Sequence, residues 1–202
     1  LYSGKADWSA IASLKKAVTT IPVFGNGDVW ESWDALRLMR STGCDGVVVG
    51  RGCLGRPWLF GDLASVFGLR PAVGGVEPGE PPVLKDVAVA MVRHARLLVD
   101  WAGPSGIRDF RKHTGWYLKG YVTGPAIRDA LQKVRDLDHL DELLAGLLES
   151  CDPDMRLDPA SLRTPRSHRN GPKPVVLPEG WLDNPEDATP PLEADRVLVS
   201  GG

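Results

Sequence analysis

The sequence predicts an α/β region with a parallel sheet, followed by an all-helical region and an irregular tail. Two short apolar runs, Ile21–Gly25 and Gly46–Val49, alternate with segments of helical periodicity. A stretch rich in glycine and proline then precedes residues that show helical periodicity alone. We therefore divide the chain into an α/β region (1–68), a linker (69–82), a helical region (83–150) and a tail (151–202).

The α/β region is predicted element by element. Ser9–Val18 has apolar residues at helical spacing, and Ile21–Gly25 follows as a buried strand with Pro22 near its start. A second helix, Glu31–Thr42, is expected to stop at Gly43. The β-branched run Gly46–Val49 is typical of a parallel strand buried on both faces, and Leu54–Phe67 is partly helical.

The helical region is predicted to form a small bundle. Val83–Trp101 has one apolar side, and Pro104-Ser105-Gly106 breaks it before a second helix, Ile107–Gly120. Gly124 and Pro125 open a third helix, Pro125–Arg135, because proline is favoured at the first helical position. Asp138 is a candidate cap for a fourth, His139–Leu148. The tail holds nine prolines, so we expect it to be mostly irregular.

Composition excludes several classes of protein. The chain has 202 residues, is 43% hydrophobic and 25% charged, and has a net charge of −2, which argues against a uniformly basic nucleic-acid binder. Its three cysteines, Cys44, Cys53 and Cys151, form no CxxC pair, which argues against a disulfide scaffold and fits a cytoplasmic protein. No apolar run approaches the roughly 18–20 residues that span a bilayer. Leu1 is not a plausible start, so we expect a piece of a longer chain.

The near-neutral total charge conceals a basic segment. Residues 83–135 hold 10 basic and 4 acidic residues, whereas residues 136–150 hold 5 acidic and no basic residues. The four histidines are too scattered to indicate a metal site, and no HExxH motif or Cys/His cluster is present. The sequence therefore predicts a locally basic helical surface without a metal.

The most informative motifs follow the two predicted strands. Asn26-Gly27-Asp28 ends the first strand, and Gly50-Arg51-Gly52 ends the second. Ligands of parallel α/β proteins lie at the carboxyl ends of strands, where glycines let backbone N–H groups approach a phosphate and Arg51 adds a charge. The alternative is that both are ordinary strand-to-helix turns. Their spacing of one βα unit favours the phosphate site.

Basic residues of the helical region are candidates for RNA contact. Arg108, Arg111, Lys112 and Lys119 recur at spacings that place them on one helix face, and Arg128 adds another charge. The alternative is an ordinary solvated face with Trp116 and Tyr117 buried between helices. His113 is either a phosphate donor or a structural histidine, and we expect Trp116 to belong to the core.

Several other residues are interpreted as architectural. Asp7 is expected to cap the first helix with Trp8 packed beneath it. Arg56-Pro57-Trp58 is also interpreted as architectural, with Pro57 near a helix start and Trp58 where the α/β and helical regions meet. Cys44 and Cys53 are interpreted as buried free thiols.

Combined, the motifs resemble the carboxyl-terminal part of bacterial tRNA-dihydrouridine synthases, particularly the B-type branch. The resemblance covers residues 1 to about 150. It is carried by Tyr2-x-Gly4-x-Ala6-Asp7-Trp8, Ile21-Pro-Val-x-Gly-Asn-Gly-Asp28, Gly43-x-Asp45-Gly46-x-x-x-Gly50-Arg51-Gly52-x-x-Gly55-x-Pro57-Trp58 and Arg111-Lys112-His113-x-x-Trp116-Tyr117-x-x-Gly120.

The resemblance implies the last two strands of an FMN-binding (β/α)₈ barrel followed by a helical tRNA-binding domain. Such enzymes reduce specific tRNA uridines to 5,6-dihydrouridine with FMN and NADPH, and we expect a monomer in full-length form. The resemblance places FMN contacts at Asn26, Gly27, Asp28, Gly50 and Arg51, and it favours RNA contacts at Arg108, Arg111, Lys112, His113, Lys119 and Arg128.

The same resemblance puts the catalytic cysteine before Leu1, so we expect no catalytic residue in this sequence and an inactive piece when it is alone. The alternatives are a stand-alone RNA-binding module without catalysis, and another phosphate-binding barrel enzyme with an unrelated helical appendage.

Overall fold

A computed structural model describes residues 5–69, 80–158 and 161, and all of them belong to one compact unit. Almost all of the predicted tail and most of the predicted linker lie outside the described residues. The elements, in chain order, are α1 (Trp8–Ala17), β1 (Phe24–Asn26), α2 (Ser32–Thr42), β2 (Gly46–Val48), a 3₁₀ turn (Arg51–Cys53), α3 (Leu59–Val66), α4 (Leu84–Ala102), a 3₁₀ turn (Gly103–Ser105), α5 (Gly106–Tyr117), α6 (Pro125–Leu131) and α7 (Leu137–Ser150).

The α/β half, residues 5–69, is built on a parallel strand pair. β1 pairs with β2 in a register that sets Phe24 opposite Gly46 and Asn26 opposite Val48. Because Gly25 has no side chain, Leu38 of α2 and Cys44 pack directly against the backbone of β1. The buried core of this half comprises Val23, Val29, Ala35, Leu38 and Cys44. The predicted parallel sheet is therefore confirmed.

The strands are shorter and more exposed than predicted. β1 begins at Phe24 rather than Ile21, because pairing with β2 begins there and Ile21 is 64% exposed. The predicted burial of the strands on both faces is wrong for the described residues. Val47 packs against the core on one face, whereas Phe24 is 60% exposed and Val48 is 51% exposed. The described helices cover one face of this sheet.

Local capping chemistry sets the helix ends. The Asp7 side chain accepts a hydrogen bond from the Ser9 N–H at 2.9 Å at the start of α1, as predicted. Gly43 ends α2 with φ of 72°, also as predicted. The predicted cap of α7 is wrong: Asp136, not Asp138, accepts from the His139 N–H at 2.8 Å, so the helix begins earlier.

The helical half, residues 80–158, has its own core. α4 contributes Val87, Met91 and Ala95, and these pack with residues of the following helices, including Phe110, Leu140 and Leu144. Gly106 starts α5 where a side chain would strike the Leu98 carbonyl of α4. α5 ends at Tyr117 and α6 at Leu131, both earlier than predicted.

Every helix in the described part of the chain is too short or too polar to span a membrane.

The two halves meet at the end of α5. Gly55 has φ of 66°, and a Cβ there would lie 2.4 Å from the carbonyl carbon of Trp116. Trp58 packs against the helical core, as expected for a residue where the two regions meet. Close backbone contact at Gly55 therefore fixes how the end of α5 sits on the segment after β2.

Gly55→Ala is expected to lower the free energy of unfolding by about 2–3 kcal/mol, because the new methyl group collides with backbone at a positive φ. Chemical denaturation measures this change. Gly61→Ala is the matched control: Gly61 lies in α3 with open space at its Cβ position, so alanine should stabilise by up to about 1 kcal/mol. Equal stability of the two variants would contradict the contact.

Candidate functional site

The two predicted phosphate-binding turns leave the sheet side by side. Asn26 and Val48 are register partners at the carboxyl ends of β1 and β2, and the Asn26 amide Nδ2 donates to the Val48 carbonyl at 3.0 Å. Asn26 therefore ties the two strand ends together. Because the strands are parallel, the turns that follow them occupy the same edge of the sheet, which is where ligands of such sheets bind.

Contacts with Ala6 and Trp8 hold the first turn in a left-handed conformation. Gly27 has φ of 115° and Asp28 has φ of 53°. The Asp28 carboxylate accepts from the Ala6 N–H at 2.7 Å, and the Trp8 indole N–H donates to the Gly27 carbonyl at 3.1 Å. A Cβ on Gly27 would lie 2.5 Å from the Ala6 Cβ. Asp28 thus shapes the turn.

The second turn lies directly on the segment after the first. A Cβ at Gly52 would lie 2.0 Å from the Val29 carbonyl oxygen, whereas a Cβ at Gly50 would meet open space. The Gly50 carbonyl accepts from the Cys53 N–H at 3.2 Å, which closes the 3₁₀ turn. Sequence reasoning selected Gly50 and Arg51 and missed Gly52, although the second glycine of Gly-Arg-Gly was the available signal.

Arginines on either side of Trp30 hold the turns together. The Arg51 guanidinium lies over the Trp30 ring, 5.7 Å from its centroid. The Arg56 guanidinium is buried and donates from Nη1 to the Trp30 carbonyl at 2.7 Å. Burial lowers the pKa of Arg56, and the nearby carboxylates of Asp62, Glu31 and Asp34 oppose that shift. Arg56 is architectural, as predicted.

Backbone donors at this edge are available to a ligand. Within the described residues, the N–H groups of Gly50 and Gly52 have no hydrogen-bond acceptor. Open space at the Gly50 Cβ position leaves that face of the turn accessible. Unsatisfied N–H groups in the second turn, an adjacent glycine turn and a nearby guanidinium are chemically suited to an anion such as phosphate.

Two of the predicted RNA-binding arginines are anchored inside the helical half. The Arg111 Nε donates to the Val134 carbonyl at 2.7 Å, which joins α5 to the segment after α6. Arg128 Nη2 donates to the carbonyls of Leu118 and Tyr121, each at 2.7 Å, and burial lowers its pKa. Both side chains satisfy main-chain carbonyls that follow helix ends.

The remaining cationic residues do not form the single helix face that their spacing predicted. Arg108 and Lys112 are exposed on α5, and Lys112 pairs with Asp109 at 2.9 Å. Lys119 lies beyond Tyr117, where α5 has already ended, and it is half-buried with a partner. The early end of α5 therefore separates Lys119 from the other two.

His113 belongs to an aromatic cluster on α4 and α5. Its ring centroid lies 4.7 Å from that of His94 and 5.1 Å from that of Trp116, while His94 Nδ1 is 3.1 Å from the Tyr117 hydroxyl. Tyr117 is buried and its pKa is raised by that burial to about 12, so it cannot stack on a nucleotide. Trp116 is only half-buried, and its predicted place in the core is wrong.

Burial lowers the pKa of both histidines in this cluster. For His113, the neighbouring His94 and Lys112 lower it further, against the opposing effect of Asp109. The two imidazoles are therefore uncharged at neutral pH.

The surroundings of Cys44 and Cys53 indicate structural roles for both thiols. Cys44 is buried, and its Sγ donates to the Gly46 carbonyl at 3.3 Å. Cys53 is half-buried rather than buried, and burial raises its thiol pKa. No three metal-ligating side chains come together within residues 5–69, 80–158 and 161.

Comparison with known proteins connects this arrangement to a family. The family model described as dihydrouridine synthase (Dus) matches residues 1–151. The chain belongs to the dihydrouridine synthase family. It is 48% identical over its full length to a probable tRNA-dihydrouridine synthase of Mycobacterium leprae, and covers 50% of that protein.

Two further relatives agree with this assignment. A probable tRNA-dihydrouridine synthase of Mycobacterium tuberculosis H37Rv is 47% identical, with all of this chain and 49% of that protein covered. The tRNA-dihydrouridine synthase B of Xanthomonas axonopodis pv. citri is 36% identical over 72% of this chain and 45% of its own length. The chain thus spans about half the length of the curated relatives that it matches. The mycobacterial matches extend through the segment after residue 151, where the family model ends.

Arg128→Met is expected to lower the free energy of unfolding by about 1–3 kcal/mol, because it leaves the carbonyls of Leu118 and Tyr121 without their donor. Denaturant titration measures the change. Lys133→Met removes an exposed ion pair with Asp129 and should change stability by no more than about 0.5 kcal/mol. An equally small effect at both positions would show that Arg128 is not an anchor.

Acidification from pH 7.5 to 5.5 is expected to destabilise the fold. The pKa values of His94 and His113 are lowered below the ordinary 6.5, so the unfolded chain binds more protons in this range and stability falls as the pH falls. Asp7, Asp45 and Asp109, whose pKa values are also lowered, act only in more acidic solution. Denaturation midpoints across the range measure the slope, and replacing both histidines by phenylalanine should flatten it. A wild-type midpoint that rises on acidification would contradict the prediction.

Proposed function

We propose that the chain is the carboxyl-terminal part of a cytoplasmic, FMN-dependent enzyme that reduces specific tRNA uridines to 5,6-dihydrouridine with NADPH. In this proposal, residues 1–68 are the last portion of a (β/α)₈ barrel, and residues 83–150 are a tRNA-binding domain joined by the 69–82 linker. Family membership supports the reaction class and the RNA substrate. The observation that carries the proposal is the pair of adjacent turns after β1 and β2.

The residues present fit the phosphate of FMN. Gly50 presents an N–H group without an acceptor in the described structure, the space beside it is open, and Gly27 lies in the adjacent turn. Glycine at both positions allows close approach of an anion, and paired strand ends of this kind bind phosphate in barrel enzymes. Asn26 and Asp28 act by fixing the strand ends and the turn, and Arg51 adds a positive charge nearby.

When bound, the flavin supplies the hydride that reduces the C5–C6 bond of uridine. The residues of this chain hold the phosphate and orient it at the strand ends. Cys44 and Cys53 donate to carbonyls of their own segments, Gly46 and Gly50, which supports a structural role for both thiols. The proton-donating cysteine is proposed to lie in the part of the protein that precedes these residues.

The exposed cations are proposed to contact tRNA. Arg108 and Lys112 are solvent-exposed on α5, where they can reach phosphates, and the half-buried Lys119 after α5 is a further proposed contact. Arg111 and Arg128 contribute by fixing the helices beneath this surface, since each donates to main-chain carbonyls.

Replacing both Arg108 and Lys112 by alanine is expected to weaken tRNA binding and to reduce the slope of log affinity against log salt by about one for each lost phosphate contact. Filter binding over a salt series measures this slope. The matched control removes two exposed charges of the α/β half, Lys16 and Arg40, and should leave the slope unchanged. An unchanged slope in the α5 variant would contradict the assignment.

Deletion of the gene in its host tests the proposed function as a whole. Mass spectrometry of tRNA nucleosides should show loss of dihydrouridine at one or more positions, and the restored gene should return it. Unchanged dihydrouridine at every position would overturn the proposal. If the purified protein binds tRNA but retains no flavin, the result would instead indicate an RNA-binding module without catalysis.

A further inference from the structure

A groove of about 750 Å³ lies between residues 53–61 and the helices α4 and α5. Its walls are mostly apolar: Leu54, Trp58 and Phe60 line one side, and Val89 and Leu97 of α4 line the other. This volume is within the range of sites that bind small organic ligands. It lies beside the turn Arg51–Cys53, so a molecule bound in it would be next to the proposed phosphate site.

Two uncharged imidazoles are among the polar groups of the groove. His94 and His113 both line it, and their ring centroids are 4.7 Å apart. His94 Nδ1 is paired with the Tyr117 hydroxyl, but within the described residues His94 Nε2 and both ring nitrogens of His113 have no hydrogen-bond partner. A neutral imidazole offers one donor and one acceptor, so this wall suits a ligand that carries both.

The rim of the groove carries a cation. Arg93 lines the groove one residue before His94, is exposed, and has no ion pair among the described residues. Asp86, also exposed, is the other charged residue of the lining. The edge therefore carries one charge of each sign, whereas the wall formed by His94 and His113 carries none.

We propose that this groove binds one nucleotide of a bound RNA, with the base against His113 and His94 and the phosphate near Arg93. A phosphate against the wall formed by His94 and His113 would lack a cation, whereas an uncharged base has donor and acceptor edges for the imidazoles and apolar faces for the walls. The inference rests on the proposed function and assigns to α4 and α5 a role in binding a base, beyond the attraction of phosphates by exposed cations.

Histidine ring signals in nuclear magnetic resonance spectra of the full chain test this site. Uridine 5′-monophosphate should shift the imidazole ¹⁵N signals of His94 and His113 and leave those of His139 on α7 unmoved. Ribose 5-phosphate, which has the phosphate but no base, should leave all three unmoved. No shift with the nucleotide, or an equal shift with both probes, would overturn the inference.

A variant that keeps the ring shape separates hydrogen bonding from packing. His113→Phe retains an aromatic ring but loses both nitrogens, so it should raise the Kd for uridine 5′-monophosphate by about fivefold, the effect of one lost hydrogen bond. His139→Gln, outside the groove, should bind the nucleotide as the wild type does. Equal affinity of wild type and His113→Phe would overturn the inference.

Binding of tRNA distinguishes this inference from the proposed function. If the wild type and His113→Phe bind tRNA equally well, the groove does not hold a base, although the proposed function stands. If neither binds tRNA, the proposed function itself fails. Weaker tRNA binding by His113→Phe, with wild-type stability at pH 7.5, supports both.

Discussion

The turn after β2 lies directly on the main chain that follows β1, and the candidate phosphate site depends on that contact. Only a glycine at position 52 leaves room for the Val29 carbonyl, and the buried Arg56 adds a hydrogen bond to the neighbouring Trp30 carbonyl. Backbone contact of this kind allows little adjustment, because neither partner is a flexible side chain. The N–H groups of Gly27 and Gly50 are thereby kept in a fixed relation, which is what recognition of a small anion requires.

The segment after β2, from Gly52 to Trp58, also connects the sheet to the helices. After Gly52 the chain passes Gly55, where it touches the end of α5, and then Trp58, which packs in the helical core. The candidate RNA surface on α5 is thus positioned by residues that directly follow the candidate phosphate turn. Within the helical half, Arg111 and Arg128 donate to main-chain carbonyls, so part of the basic character of this segment serves the fold.

The fold was predictable where local chemistry decides it. Asp7, Gly43 and Pro125 mark helix ends by their own backbone and side-chain preferences, and the structure has helix boundaries at all three. The predictions failed where tertiary contact decides. The pairing register, not the apolar run from Ile21, sets the start of β1, and α5 stops at Tyr117 although its charge spacing continues to Lys119.

The candidate site was predictable in part for the same reason. Gly27 and Gly50 stand out in sequence because they follow strands, and Asp28 has the turn-shaping role that its position indicates. Gly52 acts only through a carbonyl of a distant segment, so its role needed the structure. His94 has no motif around it, and it joins His113 only because α4 and α5 pack together.

The most direct test of the account compares FMN with riboflavin on the protein isolated from its host, with amide signals of the two turns as the readout. Because these turns are proposed to bind the phosphate, FMN should shift the amide signals of Gly27 and Gly50, and riboflavin, which lacks the phosphate, should not. Gly146, in α7, serves as the internal reference and should not respond to either flavin. Tight binding of FMN that leaves the Gly27 and Gly50 signals unmoved would contradict the central claim.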